Sequence, residues 1–240
     1  MTSPADLRDA VALAHSRLDA PAWAPPHPHR EPRAEEYERV SDPGRYRVVQ
    51  LRARLWRDAL VAAGARVTPV DVAPDVGTGA DVGTGPVDRG VRLDPPTGAA
   101  GALPILLLEA DVTVPEGVLP VVRISLSAPE DVWAALPDCG CDACDEGSED
   151  LLQAIDATML RLLGPAVSLR GGPRRPRGPD PRRPDTWTFH WTPGRTGSGL
   201  SGRAPVSFED LGAAAERLMR GEEPDLPSGT EVTVGRAWFG

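Results

Sequence analysis

The three cysteines of this 240-residue chain, Cys139, Cys141 and Cys144, lie within one short segment. Thiolate sulfur is a soft ligand that selects Zn²⁺ or Cu(I) over hard cations. Gly140 permits the tight turn that would bring three sulfur atoms of so short a segment to one ion. The spacing therefore predicts a metal site, with zinc as the expected cofactor.

A structural zinc ion takes four ligands, so the three cysteines would leave one position to fill. The predicted fourth ligand is His190, which lies on the polar side of an alternating strand pattern at residues 186–192. The alternatives are His27 or His29, a neighbouring carboxylate, a water molecule, or a residue of another chain. A His190 that is solvated or bonded to a neighbour is also compatible with the pattern.

The cysteine segment is strongly acidic, and no arginine lies within ten residues of Cys141 on either side. Its carboxylates are Asp138, Asp142, Asp145, Glu146, Glu149 and Asp150. Negative neighbours raise the pKa of a thiol and weaken it as a nucleophile, but they attract a cation. A metal site is therefore favoured over redox catalysis, although Cys141 and Cys144 have the spacing of a redox pair. Empty reduced thiols or an occasional disulfide are the other interpretations.

The basic residues exclude several kinds of active site. All 26 are arginine, and the chain contains neither lysine nor asparagine. Schiff-base lysine chemistry, a phosphate-binding loop with its lysine, and a papain-like triad that needs asparagine are therefore excluded. No catalytic constellation is found, so a non-enzymatic binding or accessory role is expected. The alternatives are a protein that handles metal or senses thiol oxidation at an open three-cysteine site, and an open zinc site that hydrolyses a substrate.

The net charge of −9 disfavours nucleic acid and anionic membrane surfaces as partners, because both are negatively charged. The first residues do not form a basic segment followed by an apolar core, as a secretion signal would. The longest apolar run, at residues 102–108, is too short to cross a membrane. We therefore expect a cytoplasmic protein with reduced cysteines, whose partner would be another protein or a second copy of itself.

Capping residues and apolar spacing predict five helices. They are expected at residues 4–18, 41–63, 129–136, 149–163 and from Ser207 onward. Ser3 and Asp6 form a capping box at the start of the first. The predicted buried stripe of the second consists of Val48, Leu51, Leu55, Ala59 and Ala62.

Apolar and alternating segments predict strands at residues 91–93, 104–109, 118–127, 166–170, 186–192 and 231–234. The order of elements, and connections too short for parallel pairing among the first strands, indicate an α+β fold with a mainly antiparallel sheet and packed helices. We expect a single domain over residues 34–240, preceded by an N-terminal helix and proline-rich linker in residues 1–33. Flexible insertions are expected near residues 72–90, where a short duplication occurs, and near the arginine- and proline-rich residues 171–185.

Residues 137–145 read Pro-Asp-Cys-Gly-Cys-Asp-Ala-Cys-Asp, and Gly147, Ser148 and a leucine-containing helix follow. Residues 37–43, the aromatic strand around His190, and residues 234–236 add further motifs. Over about residues 35–240 the chain resembles an uncharacterised domain-of-unknown-function family found in GC-rich actinobacteria. The resemblance implies no activity, substrate or cofactor.

Overall fold

The structure is a computed structural model, and it describes residues 2–70, 86–172, 186–194 and 198–239. Within these ranges the chain forms four α-helices and two antiparallel sheets, which confirms the predicted α+β class. The chain divides into two compact units. The first consists of Met1–Gly98 and Pro104–Leu160, and the second consists of Ala99–Leu103 and Arg161–Gly240.

Two helices at the start of the chain belong to the first unit. α1 (Pro4–His15) has the predicted capping box, because the Ser3 hydroxyl accepts from the Asp6 backbone N–H and the Asp6 carboxylate accepts from that of Ser3. α2 (Arg47–Ala62) follows a 3-10 helix at Pro43–Tyr46. Both helices confirm predicted ones, with starts or ends shifted by a few residues.

The buried face of α2 differs from the predicted stripe. Its buried residues are Val48, Val49, Gln50, Arg52, Ala53, Trp56 and Leu60, while Leu51, Leu55 and Ala59 are half-buried and Ala62 is exposed. Asp156 accounts for part of the difference, since it accepts hydrogen bonds from Arg52 Nε at 2.9 Å and from the Trp56 indole at 2.7 Å. A charge can be buried when it is paired, so a stripe of apolar residues alone does not describe the buried face of α2.

The sheet of the first unit has the strand order β1–β2–β3–β4–β5, and neighbouring strands are antiparallel. The strands are β1 (Arg66–Pro69), β2 (Arg89–Asp94), β3 (Ile105–Val114), β4 (Gly117–Leu126) and β5 (Val132–Leu136). β2, β3 and β4 confirm predicted strands, whereas β1 was not predicted. The first six residues of β3 and the last eight of β4 are buried, so both faces of the sheet are covered there.

β5 shows that the helix predicted at residues 129–136 is wrong. The chain turns sharply after β4, where Ser127 has a φ of 66°. Val132 then pairs with Ser125, and the following residues continue the antiparallel pairing with β4. Branched and aromatic side chains favour a sheet over a short helix, so the available edge of β4 decides the structure of this segment.

The second unit is built on a four-stranded antiparallel sheet in the order β8–β7–β6–β9. Its strands are β6 (Ala166–Gly171), β7 (Trp187–Trp191), β8 (Gly199–Gly202) and β9 (Glu231–Gly235). α3 (Ser148–Leu163) begins in the first unit, and its residues from Arg161 belong to the second. α4 (Phe208–Met219), capped by Ser207 as predicted, packs Leu211 and Ala215 against an apolar cluster of Val167, Leu169, Trp187 and Phe189.

The single domain expected over residues 34–240 stays a prediction. α1 and the proline-rich segment lie in the first unit, together with the cysteines. The insertions predicted near residues 72–90 and 171–185, with the duplication at 75–86, fall mostly outside the described residues. None of the helices in the described ranges is long and apolar enough to cross a membrane.

Candidate metal centre

The sulfur atoms of Cys139, Cys141 and Cys144 all lie within 4.8 Å of one another. Those of Cys139 and Cys141 are 3.3 Å apart. Two sulfur atoms bound to one tetrahedral zinc ion, each at about 2.3 Å, lie about 3.8 Å from each other. Small side-chain rotations would therefore let all three contact one ion. Cys141 is buried while the other two are exposed, so the cluster lies at the surface.

The loop that carries the thiols is shaped by a glycine and a short 3-10 helix. Gly140 has a φ of 74°, a conformation that other residues rarely adopt. A Cβ atom on Gly140 would lie 2.8 Å from Leu119 Cδ2, so a larger residue would collide with β4. The 3-10 helix at Asp142–Cys144 follows, and the Cys144 N–H donates to the Cys141 carbonyl at 3.1 Å. Together these turns keep the three cysteines close.

The three thiols differ in acidity. Although Cys139 is exposed, partial desolvation of its sulfur raises the pKa of the thiol to about 12. Burial also opposes ionisation of Cys141, but hydrogen bonds from the other two thiols and from the backbone N–H groups of Cys144 and Ala143 outweigh it and lower the Cys141 pKa. The pKa of Cys144 is raised, chiefly by its hydrogen bond with Cys141. Negative charge is therefore best stabilised on Cys141.

Asp142 anchors the loop to a distant segment of the chain. Its carboxylate accepts from the Ser41 backbone N–H at 2.8 Å, from the Ser41 hydroxyl at 2.6 Å and from Arg39 Nε at 2.7 Å. The Asp142 N–H in turn donates to the Arg39 carbonyl at 2.8 Å. Burial opposes ionisation of Asp142, but the bonds from Ser41 and Arg39 outweigh it and lower the pKa. The motif at residues 37–43 is thus in contact with the cysteine motif.

Asp145 anchors the other end of the loop. Its side chain is only 1% exposed. The carboxylate accepts from the Trp23 indole N–H, whose nitrogen lies 2.9 Å from each carboxylate oxygen, and from the Gly147 N–H at 2.8 Å. It also forms an ion pair with Arg45, whose guanidinium carbon lies 4.8 Å from the centroid of the Trp23 ring. A cation over an aromatic face is attracted to it. Protein groups therefore satisfy both oxygens of Asp145.

The proline-rich segment lies against the cysteine loop. The Trp23 N–H donates to Ser148 Oγ and the Ser148 N–H donates to the Trp23 carbonyl, each at 3.1 Å. A Cβ atom on Gly147 would lie 2.9 Å from the backbone nitrogen of Pro25, so glycine is needed for this close approach. We refer to residues 23–27 as the strap, because they cover the start of α3 and the end of the loop.

The histidines considered as fourth ligands lie in different places. His27 belongs to the strap, with Nε2 at 3.1 Å from the Asp142 carbonyl oxygen, and His29 is exposed. His190 lies on β7 of the second unit, opposite Ser168 of β6. Among the described histidine, cysteine and acidic side chains, the metal-binding cluster contains the three cysteines and no fourth residue. His190 as a ligand stays a prediction.

The acidic surroundings expected from the sequence are balanced in part by distant arginines. Asp142 is paired with Arg39 and Asp145 with Arg45, across 103 and 100 residues of sequence. Neither these arginines nor Trp23 was predicted as a neighbour of the cysteines. For Arg39 the sequence did contain an indication, since residues 37–43 are one of the motifs that carry the family resemblance.

A pocket of about 130 Å³ adjoins the thiols. Two of the cysteines, Cys139 and Cys144, line it, together with the carboxylate residues Asp138, Asp145, Glu146 and Asp150. The rest of the lining is mostly apolar and consists of Tyr46, Leu136, Pro137, Gly140, Leu151 and Ala154. Since one water molecule takes up about 30 Å³ in the liquid, the pocket has room for about four water molecules or a small ligand beside the sulfur atoms.

Comparison with known protein families identifies the family of this chain. A family of unknown function, DUF6226, matches it over residues 9–240. The chain belongs to this family. The match covers more than the residues 35–240 expected from the resemblance, since it includes most of α1 and the whole strap that contacts the cysteine loop. No curated protein and no solved structure matches the chain. The family assignment therefore carries no activity, and the site must be interpreted from its geometry.

Proposed function

We propose that Cys139, Cys141 and Cys144 bind one zinc ion, and that the protein is a cytoplasmic, non-enzymatic binding or accessory protein. The observation that carries the proposal is the convergence of the three sulfur atoms within 4.8 Å. The thiolate ligands of one ion require such convergence. The soft character of sulfur favours zinc over magnesium or calcium.

The ion would hold the loop between β5 and α3 in one shape. Asp142 directly follows Cys141, and Asp145 directly follows Cys144. Their carboxylates already tie this loop to residues 39–45 and to the strap. Such anchoring lowers the conformational entropy that the ligands lose when a metal binds. The geometry thus supports a site that is largely organised before the ion arrives.

The composition supports a source with a GC-rich genome. Lysine and asparagine have AT-rich codons, and the chain contains neither residue. We therefore include the actinobacterial origin in the proposal, together with a cytoplasmic location in which cysteines remain reduced.

Metal content tests the proposed zinc site. The untagged protein, purified under reducing conditions, is analysed for bound elements beside a Cys141→Ser variant and an Asp9→Asn control, which keeps all three thiols and changes no residue of the pocket lining. We expect about one zinc per chain in the wild type and the control, and a loss of zinc in the serine variant. Absence of metal from the wild type, with three titratable thiols and unchanged melting of the serine variant, would falsify the proposal.

A second candidate function is metal handling or thiol sensing. Two observations favour it: Cys139 and Cys144 are exposed, and the Cys139 and Cys141 sulfur atoms are 3.3 Å apart. A closed structural site would resist chelators, and its loss would unfold the protein. Rapid removal of zinc by a chelator, with the circular dichroism of the fold unchanged, would favour handling or sensing instead.

A further inference from the structure

We propose that the pocket beside Cys139 and Cys144 is the entrance to an open metal site, at which a small exogenous ligand takes the fourth coordination position. This inference rests on the proposed function, because it requires the three cysteines to bind the ion. It adds how the ion reaches them and what completes its coordination.

The carboxylates within the loop are already engaged with protein groups. Each oxygen of Asp142 accepts from Ser41 or Arg39, and each oxygen of Asp145 accepts from Trp23 and from a second group. A move of either carboxylate to a metal would break these hydrogen bonds, which are part-buried, at a cost for each. Among the described residues, therefore, neither loop carboxylate is placed to complete the coordination.

The pocket presents both thiols and negative charge to an incoming cation. Asp138, Glu146 and Asp150 are exposed and line it, and the negative charge of Asp138 acts on Cys144. A cleft lined by charge of one sign raises the local concentration of counter-ions and speeds their association by about 10 to 10³-fold. These three carboxylates are thus placed to attract the ion, while the cysteines hold it.

Cobalt(II) tests the open position, because its visible absorption depends on the type and geometry of its ligands. The full chain is loaded with cobalt and titrated with imidazole, a small nitrogen ligand. We expect a saturable shift of the absorption bands, equal in the wild type and in His190→Ala. If imidazole does not shift the absorption bands, the proposal that the fourth coordination position is open is wrong. If His190→Ala alone also alters the bands, His190 is the fourth ligand.

Association rates test the role of the pocket carboxylates. A triple variant, Asp138→Asn, Glu146→Gln and Asp150→Asn, is compared with a control that removes the same charge elsewhere: Asp9→Asn, Asp58→Asn and Glu116→Gln. We expect zinc to bind the first variant about tenfold more slowly at low ionic strength, with a smaller difference at high salt. If zinc binds the two triple variants at equal rates, the proposal that the pocket is the entrance for the ion is wrong.

The two proposals fail in different ways. If neither zinc nor cobalt binds to the wild type, the proposed function itself is wrong. If both ions bind, but imidazole leaves the bands unchanged or the two triple variants bind at the same rate, the zinc site stands and the open entrance is wrong.

Discussion

The indole N–H of Trp23 is shared between both carboxylate oxygens of Asp145, at 2.9 Å to each, across 122 residues of sequence. Asp145 directly follows Cys144, so the strap is bonded to the residue beside a proposed metal ligand. Any movement of the loop that accompanies metal binding must therefore either carry the strap with it or break this bond. The strap and the metal site should influence each other's stability, in equal measure in both directions.

Trp23→Phe removes the shared N–H but keeps an aromatic ring. We expect a loss of about 1–3 kcal/mol of folding stability, because the buried Asp145 loses a donor, together with weaker zinc binding. Urea denaturation and competition with a chromophoric chelator measure the two effects. Trp238→Phe is the matched control, since it removes a 2.9 Å bond to the Leu103 carbonyl in the second unit. An equal drop in zinc affinity in both variants would contradict the coupling.

Asp156→Ala should be one of the most destabilising single changes in the first unit. It removes the partner of Arg52, which is only 4% exposed, and also the acceptor of the Trp56 indole. A buried charge that loses its partner costs about 3–5 kcal/mol. The exposed pair of Asp58 with Arg57 is the comparison, because Asp58→Ala should cost less than about 1 kcal/mol. Similar urea midpoints for the two variants would refute this assignment.

Gly140→Ala should destabilise the cysteine loop for two separate reasons. The φ of 74° is unfavourable for alanine, by about 1–3 kcal/mol, and the added Cβ would lie 2.8 Å from Leu119 Cδ2. Gly98→Ala isolates the first effect, because Gly98 also has a positive φ but has no atom within 4 Å of the added Cβ. Thermal melting and zinc titration should both show the larger loss for Gly140→Ala; the reverse order would rule out the contact with β4.

Zinc binding should release protons at neutral pH. Burial raises the pKa of Cys139 to about 12, and the pKa of Cys144 is also raised, so both are protonated at pH 7 before the ion binds. The ion must displace these protons, so at least two are released per zinc and the affinity increases as the pH rises. Calorimetry in two buffers with different ionisation enthalpies counts the protons. A count near zero would mean that the thiols are already ionised or that they do not bind the ion.

Local patterns predicted much of the fold. The capping box at Ser3, the N-cap at Ser207 and the apolar periodicity of α3 correspond to helices in the structure. Such signals act over a few residues, so they can be recognised in the chain itself. The helix predicted at residues 129–136 was wrong because β4 offers an edge with which this segment pairs. That pairing partner is another strand, so the local helix signal gave no indication of it.

The face of α2 illustrates a different limit. The predicted buried stripe contained only apolar residues, but Arg52 is also buried, because Asp156 lies opposite it in the folded chain. The partner is 104 residues away, and no local rule connects the two positions. Burial of a charge depends on where its partner lies, which is a property of the packed structure.

For the candidate site, the sequence by itself determined the proximity of the thiols. Cys139, Cys141 and Cys144 lie within six consecutive residues, and Gly140 permits the turn between them, so short-range geometry suffices. Only the tertiary structure decided which charges surround them. Arg39 and Arg45 meet Asp142 and Asp145 across at least 100 residues. Contacts of that range depend on how whole elements pack, and composition near the cysteines cannot reveal them.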